Sequence, residues 1–137
     1  MVKILAGAKG EGKTKRLIEM ANEASKVANG TVVFIDDDNS QMYNLHYSVR
    51  FVETKKFIME DPTVFEGFIC GILSQNSDIE HLFVDGLNQL INATGDDKFV
   101  KFIQDLDEIC KEANTDITLI VSRAKDTLPA EIAVLAI

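Results

Sequence analysis

The sequence predicts an α/β protein: a mostly parallel sheet with helices on both faces, a three-layer αβα sandwich. Three observations predict it. Near-continuous apolar runs alternate with amphipathic stretches along the chain, the pattern of strands covered on both faces and of the helices that cover them. The composition, 46% hydrophobic and 26% charged, leaves little room for disorder. The length of 137 residues suits one domain, 1–137, able to bury roughly two-thirds of its unfolded surface.

The elements follow in order. VKILAG (2–7) is an apolar run and the first strand. KTKRLIEMANEASKVANG follows, with Leu17, Ile18, Ala21, Ala24 and Val27 at helical spacing and Asn29-Gly30 as its stop, which completes a βαβ unit with the strand TVVFID (31–36). Residues 38–64 mix aromatics and charges; VRFVE (49–53) reads as a short strand and EDPTVFEGF as a turn into a helix. A buried helix is expected over 65–75, a strand at HLFVDG (81–86), and the clearest amphipathic helix at 97–113. ITLIVS (117–122) is a further strand. LPAEIAVLAI is either a short helix and a last strand or one apolar helix.

A net charge of -8 argues against a general nucleic-acid binder, which needs a surplus of Lys and Arg on some face. No run approaches the ~18 residues of a membrane span, and the apolar start is too short for a signal peptide, so a cytoplasmic protein is expected. Cys70 and Cys110 lack metal or redox spacing and read as two buried thiols; His46 and His81 read as structural.

The motif that carries chemistry is GAKGEGKT (7–14), which fits G-x-x-x-x-G-K-[ST] at Gly7, Gly12, Lys13 and Thr14. Glycines let a loop turn successive N–H groups inward, and the helix that follows adds its positive end. Residues Gly7, Ala8, Lys9, Gly10, Glu11, Gly12, Lys13, Thr14 and Lys15 then form a nucleotide cradle. Lys13 reaches the outer phosphates and the Thr14 hydroxyl ligates Mg²⁺. The bland alternative is a Gly-rich turn without a ligand. A second metal anchor is expected at an apolar strand tip, where Asp85 follows Leu82, Phe83 and Val84; otherwise Asp85 only caps the turn before Gly86.

These residues resemble the P-loop NTPase superfamily, with GAKGEGKT as Walker A and LFVD as Walker B. The specific motifs occupy only 7–14 and 82–85. The similarity is greatest to compact additional-strand (RecA-like) ATPase cores, which implies a sheet in the order 5-1-4-3-2, Mg²⁺ and ATP at the site, Lys13 and Asp85 as catalytic groups, and Ser122 as a sensor. Many hydrolysing members carry Glu directly after the Walker B Asp; here Gly86 stands there. Asn88 and Gln89 are nearby polar candidates to orient a water. A GTPase would want Gly at 88 and N-K-x-D near 123–126, where the chain has Asn88 and Arg123-Ala124-Lys125-Asp126.

The second strand ends in Asp36, Asp37 and Asp38, at the sheet edge where such folds bind ligands. These carboxylates can hold a metal-bound water or take a proton as a base, or simply cap a turn. Arg50 is a lone cation that either forms a salt bridge or reaches a phosphate. Three functions compete. One is a slow or partner-dependent ATPase, alone or as a homo-oligomer that supplies missing groups across an interface. The second is a small-molecule kinase with an Asp36–Asp38 base. The third is a non-catalytic nucleotide-binding interaction module. The kinase suffers from having only Arg16, Arg50 and Arg123 to clamp charge.

Overall fold

The computed structural model describes residues 1–92 and 95–137. Its strands are β1 (Val2–Ala6), β2 (Thr31–Asp36), β3 (Arg50–Glu53), β4 (Ile79–Val84) and β5 (Asp116–Val121); the helices are α1 (Lys13–Val27), α2 (Pro62–Gln75), α3 (Asn88–Asn92), α4 (Asp96–Glu112) and α5 (Ala130–Ala133). The five strands form one all-parallel sheet in the order β1-β5-β4-β2-β3. β5 therefore lies between β1 and β4. Beyond the other side of β1, Ile4 N–H donates to Leu135 O at 2.9 Å and Ile137 N–H to Ile4 O at 2.9 Å. Ala136 bridges Ile4 in the parallel sense. The last apolar segment is thus a short helix followed by strand-like pairing.

Strand alternation divides the core in two. Leu5, Val32, Phe34, Phe83 and Ile120 meet Leu17, Ile18 and Ala21 of α1 on one face. Ile4, Val33, Leu82, Val84 and Leu119 meet Phe65 and Ile69 of α2 and Phe99, Phe102, Ile103 and Leu106 of α4 on the other. Helices on both faces are compatible with a three-layer sandwich. Each fully buried large side chain here contributes about 1.5–3 kcal/mol of transfer free energy.

Local chemistry sets the helix ends. Asp61 caps α2, its carboxylate accepting the Val64 N–H at 3.0 Å, and Pro62 fills the first turn, where no N–H partner is required. α4 runs from Asp96 with Phe99, Phe102, Ile103, Leu106 and Cys110 buried along one stripe.

Two expectations need correction. Over 65–75 the helix is not buried all round: Phe65 and Ile69 are fully covered, whereas Gly67, Cys70 and Gly71 are exposed. The physical reason is that α2 has the sheet and α4 on one side only, and helical spacing turns those three residues outward. Consequently Cys70 is an exposed thiol, and only Cys110 is buried. Burial pushes the Cys110 thiol up to about 11, so it stays protonated and inert.

Among the described residues no helix is long and apolar enough to cross a membrane.

Candidate functional site at the carboxyl edge of the sheet

Parallel strands bring all their carboxyl ends to one edge. The loop after β1, the acids after β2 and the turn after β4 meet there. The loop 7–12 leaves the sheet with Gly7 N–H donating to Val121 O at 3.3 Å, which ties its start to the end of β5 beside Ser122. Gly10 and Gly12 have φ of 89° and 77°, left-handed values that favour glycine, and a Cβ at either would meet nothing within 4 Å. The loop is wound back upon itself and open above. Gly12 leads directly into α1, so the helix's unpaired N–H groups face the same space.

The side chains of the loop converge on this cradle. Lys13 Nζ donates to Ala8 O at 2.7 Å, holding the ammonium over the loop. A Cβ on buried Gly7 would come 2.5 Å from Glu11 Oε2 and 3.4 Å from the Lys13 stem, so both side chains lie across Gly7. Thr14 Oγ1 donates to Asp85 Oδ2 at 2.7 Å, linking residues 71 apart in sequence. Asp85 Oδ1 accepts the Gly86 N–H at 2.7 Å, and Asp85 N–H donates to Ile35 O at 2.8 Å. Two hydrogen bonds hold the carboxylate and a third holds its backbone.

The β2–β4 pairing brings the acidic run alongside. Asp36 is 5% exposed; its Oδ1 accepts the Asp37 N–H at 2.7 Å, and its carbonyl accepts the Thr54 hydroxyl at 3.3 Å. Burial first, then hydrogen bonding with Asp37 and the charge of Asp85, push its carboxyl up to about 8. Asp38 is engaged by Ser40: its carboxylate accepts the Ser40 hydroxyl at 2.6 Å and the Ser40 N–H at 2.9 Å, which hold it below the usual carboxylate range. Oxygens of Asp36, Asp37 and Asp38 lie within 4.8 Å of one another.

Asp37 takes a position that the sequence does not reveal. A Cβ on Gly86 would come 2.7 Å from Asp37 N and 2.8 Å from its carboxylate, and Gly86 itself has a φ of 77°. The carboxylate of the residue after β2 thus packs against Gly86, the residue that follows Asp85. Only the adjacency of β2 and β4 shows this; the run of aspartates and the unusual Gly86 were its separate signals.

Asp36 supplies a pH-dependent prediction. The folded chain holds a proton that the unfolded chain, with an ordinary value of 3.8, releases. Stability from this group is therefore full below about pH 4 and declines as pH rises towards 8. Asp36→Asn keeps the Oδ1 acceptor and removes this slope. Urea denaturation without divalent cations should find the variant more stable at about pH 8, by about 2 kcal/mol, with a smaller gain near pH 5.

The structure brings together Gly7–Lys15, Asp85, Asp37 and the Ser122 position. It does not bring in Arg50. That residue opens β3, paired in register with Val33, whereas Glu53 pairs with Asp36 at the carboxyl end. It is exposed and forms no ion pair among the described residues. Arg123 is engaged elsewhere, donating to Asp96 at 2.9 Å and to Thr127 O. His46 shares a hydrogen bond with Ser48 Oγ at 2.7 Å. His81 Nε2 lies 2.9 Å from Thr118 Oγ1, and burial lowers it to about 4. Neither approaches the site residues.

No family model matches the chain, and no curated protein is significantly similar to it. The geometry alone carries the functional reading.

Proposed function

We propose that the chain is a P-loop protein that binds Mg-ATP and hydrolyses it slowly, or only with groups from a partner or a second copy. The observation that carries this reading is the Thr14–Asp85 hydrogen bond at 2.7 Å. It joins the hydroxyl at the start of α1 to the acid at the tip of β4, with β5 between the two parent strands. A Gly-rich turn with no ligand has no need of a strand-tip acid across the sheet.

The residues fit the group they would hold. Hydroxyl and carboxylate oxygens are the hard donors that Mg²⁺ prefers, and it commonly keeps waters and phosphate oxygens as its other ligands. Thr14 and Asp85 offer those donors, while the backbone from Gly7 to Lys15 offers N–H groups to polyphosphate. When bound, Mg²⁺ would neutralise phosphate charge. The ammonium of Lys13 exchanges the Ala8 carbonyl for phosphate oxygens. Ser122 offers a hydroxyl just past the end of β5, the strand between β1 and β4.

Asp37 is the carboxylate best placed to orient a water, because it packs on the position where Glu is missing. It is partly exposed and carried by a loop rather than locked in the sheet, which accords with slow turnover. The lack of Asp-x-x-Gly and of Asn-Lys-x-Asp favours adenine over guanine nucleotides.

Calorimetric titration with Mg-ATP tests the reading directly. A saturable heat at micromolar nucleotide that disappears when Mg²⁺ is chelated is expected. Absence of binding at millimolar nucleotide would refute it.

A further inference from the structure

A cavity of about 500 Å³ opens beside the phosphate loop, between the ends of β2 and β4 and the start of α2. This lies in the range of small-molecule sites. Its floor is apolar: Phe65 is fully buried and Leu87 is 4% exposed. Phe57, 53% exposed, also lines it and rests against Phe68 with ring centroids 5.3 Å apart. A half-exposed ring on the wall of a concavity is a stacking surface for a planar body.

The rim carries the charge. Lys9 and Lys55 both line the cavity, and neither forms an ion pair or hydrogen bond through its ammonium among the described residues. Lys55 feels Asp38 only at a distance. In a chain of net charge -8, two unengaged cations on one cavity are an anion-recognising pair. Asp37 occupies the border with the phosphate loop. By contrast, the cavity of about 580 Å³ between α2 and α4 has Lys101 paired with Asp105 at 2.7 Å, so much of its charge is satisfied internally.

We propose that this cavity is a second ligand site, which takes a small organic anion with a planar apolar body. Its phosphate or carboxylate sits between Lys9 and Lys55, and its body lies on Phe57 and Leu87. The ammonium pair selects the charge, and the polar groups toward Asp37 orient the ligand beside the nucleotide cradle. The inference goes beyond the Mg-ATP reading and does not require it, because the floor of Phe57, Phe65 and Leu87 and the cation Lys55 lie outside the phosphate loop, which shares only Lys9 with the pocket.

Amide NMR spectra of the full chain titrated with naphthyl phosphate, naphthol and inorganic phosphate separate the two parts of this recognition. Naphthyl phosphate should shift Lys55, Phe57 and Leu87, and bind about tenfold more tightly than naphthol. Lys55→Glu should weaken naphthyl phosphate by about tenfold while leaving naphthol nearly unchanged. Phe57→Ala, at a half-exposed position, should weaken both. The proposal is overturned if shifts are confined to Gly7–Thr14, as for phosphate captured by the loop alone. It is equally overturned if neither substitution alters binding, or if no shift occurs at millimolar naphthyl phosphate. A parallel Mg-ATP titration read at Gly10 and Gly12 keeps the two readings apart: silence there with retained shifts at Phe57 removes the nucleotide reading and leaves this one standing.

Discussion

Gly86→Glu is expected to destabilise the chain by about 3 kcal/mol and to leave ATP hydrolysis no faster, although it installs the residue that many hydrolysing P-loop ATPases carry after the Walker B acid. A left-handed φ of 77° costs a side-chain-bearing residue about 1–3 kcal/mol. The new Cβ would also stand 2.7 Å from the backbone nitrogen of Asp37. Backbone cannot rotate aside as a flexible side chain can, so the end of β2 must shift, and Asp36 with it. Urea denaturation measures the loss, and a phosphate-release assay measures the turnover. Asp37→Asn is the companion variant: it should keep Mg-ATP affinity and lower residual hydrolysis by about a hundredfold, the scale of a positioned base. Accelerated hydrolysis in the Gly86→Glu protein would show that the site simply lacks a Glu. Unchanged turnover in the Asp37→Asn protein would take Asp37 out of the reaction.

The second large effect concerns Lys13. At nucleotide a hundred times above its dissociation constant, ligation adds about 2.7 kcal/mol to folding stability. Lys13→Ala removes the one ammonium held over the loop, where it donates to Ala8 O at 2.7 Å. Under the same nucleotide concentration the variant should gain less than about 1 kcal/mol. Without ligand its stability should match the parent within about 0.5 kcal/mol, because the Lys13–Ala8 hydrogen bond lies on the surface. Thermal unfolding with and without Mg-ATP gives both numbers. Equal stabilisation of parent and variant would mean that nucleotide, if it binds, binds elsewhere.

Much of the sheet was legible in the sequence because its strands are buried on both faces. Such strands read as continuous apolar runs, and TVVFID matches β2 residue for residue. β4 begins earlier than HLFVDG suggests, at Ile79, because Glu80 and His81 interrupt the apolar pattern while the backbone continues to pair. α3 spans five residues, too few for a helical period to declare itself. The outward face of α2 was hidden by residue type: Gly67, Cys70 and Gly71 are not polar, so a one-sided helix resembles a buried one.

The meeting of the loop 7–14 with Asp85 was legible because each sits at a strand end with a distinctive chemical neighbour. Arg50 was not. A lone strand segment such as VRFVE does not announce its direction, and direction decides which edge its first residue occupies. The meeting of Asp37 and Gly86 was also hidden, since it depends on which strands are adjacent rather than on spacing along the chain.

The pairing of residues 135–137 with β1 has a mechanical consequence. β1 is clamped between that segment and β5, so the loop 7–12 stands on a strand braced from both sides. The acids stand on β2, whose outer neighbour β3 is only four residues long and forms the end of the sheet. Both walls of the site thus rest on strands paired along both edges, β1 by residues 135–137 and β5, and β2 by β4 and β3, so neither wall can advance on the other without breaking a ladder.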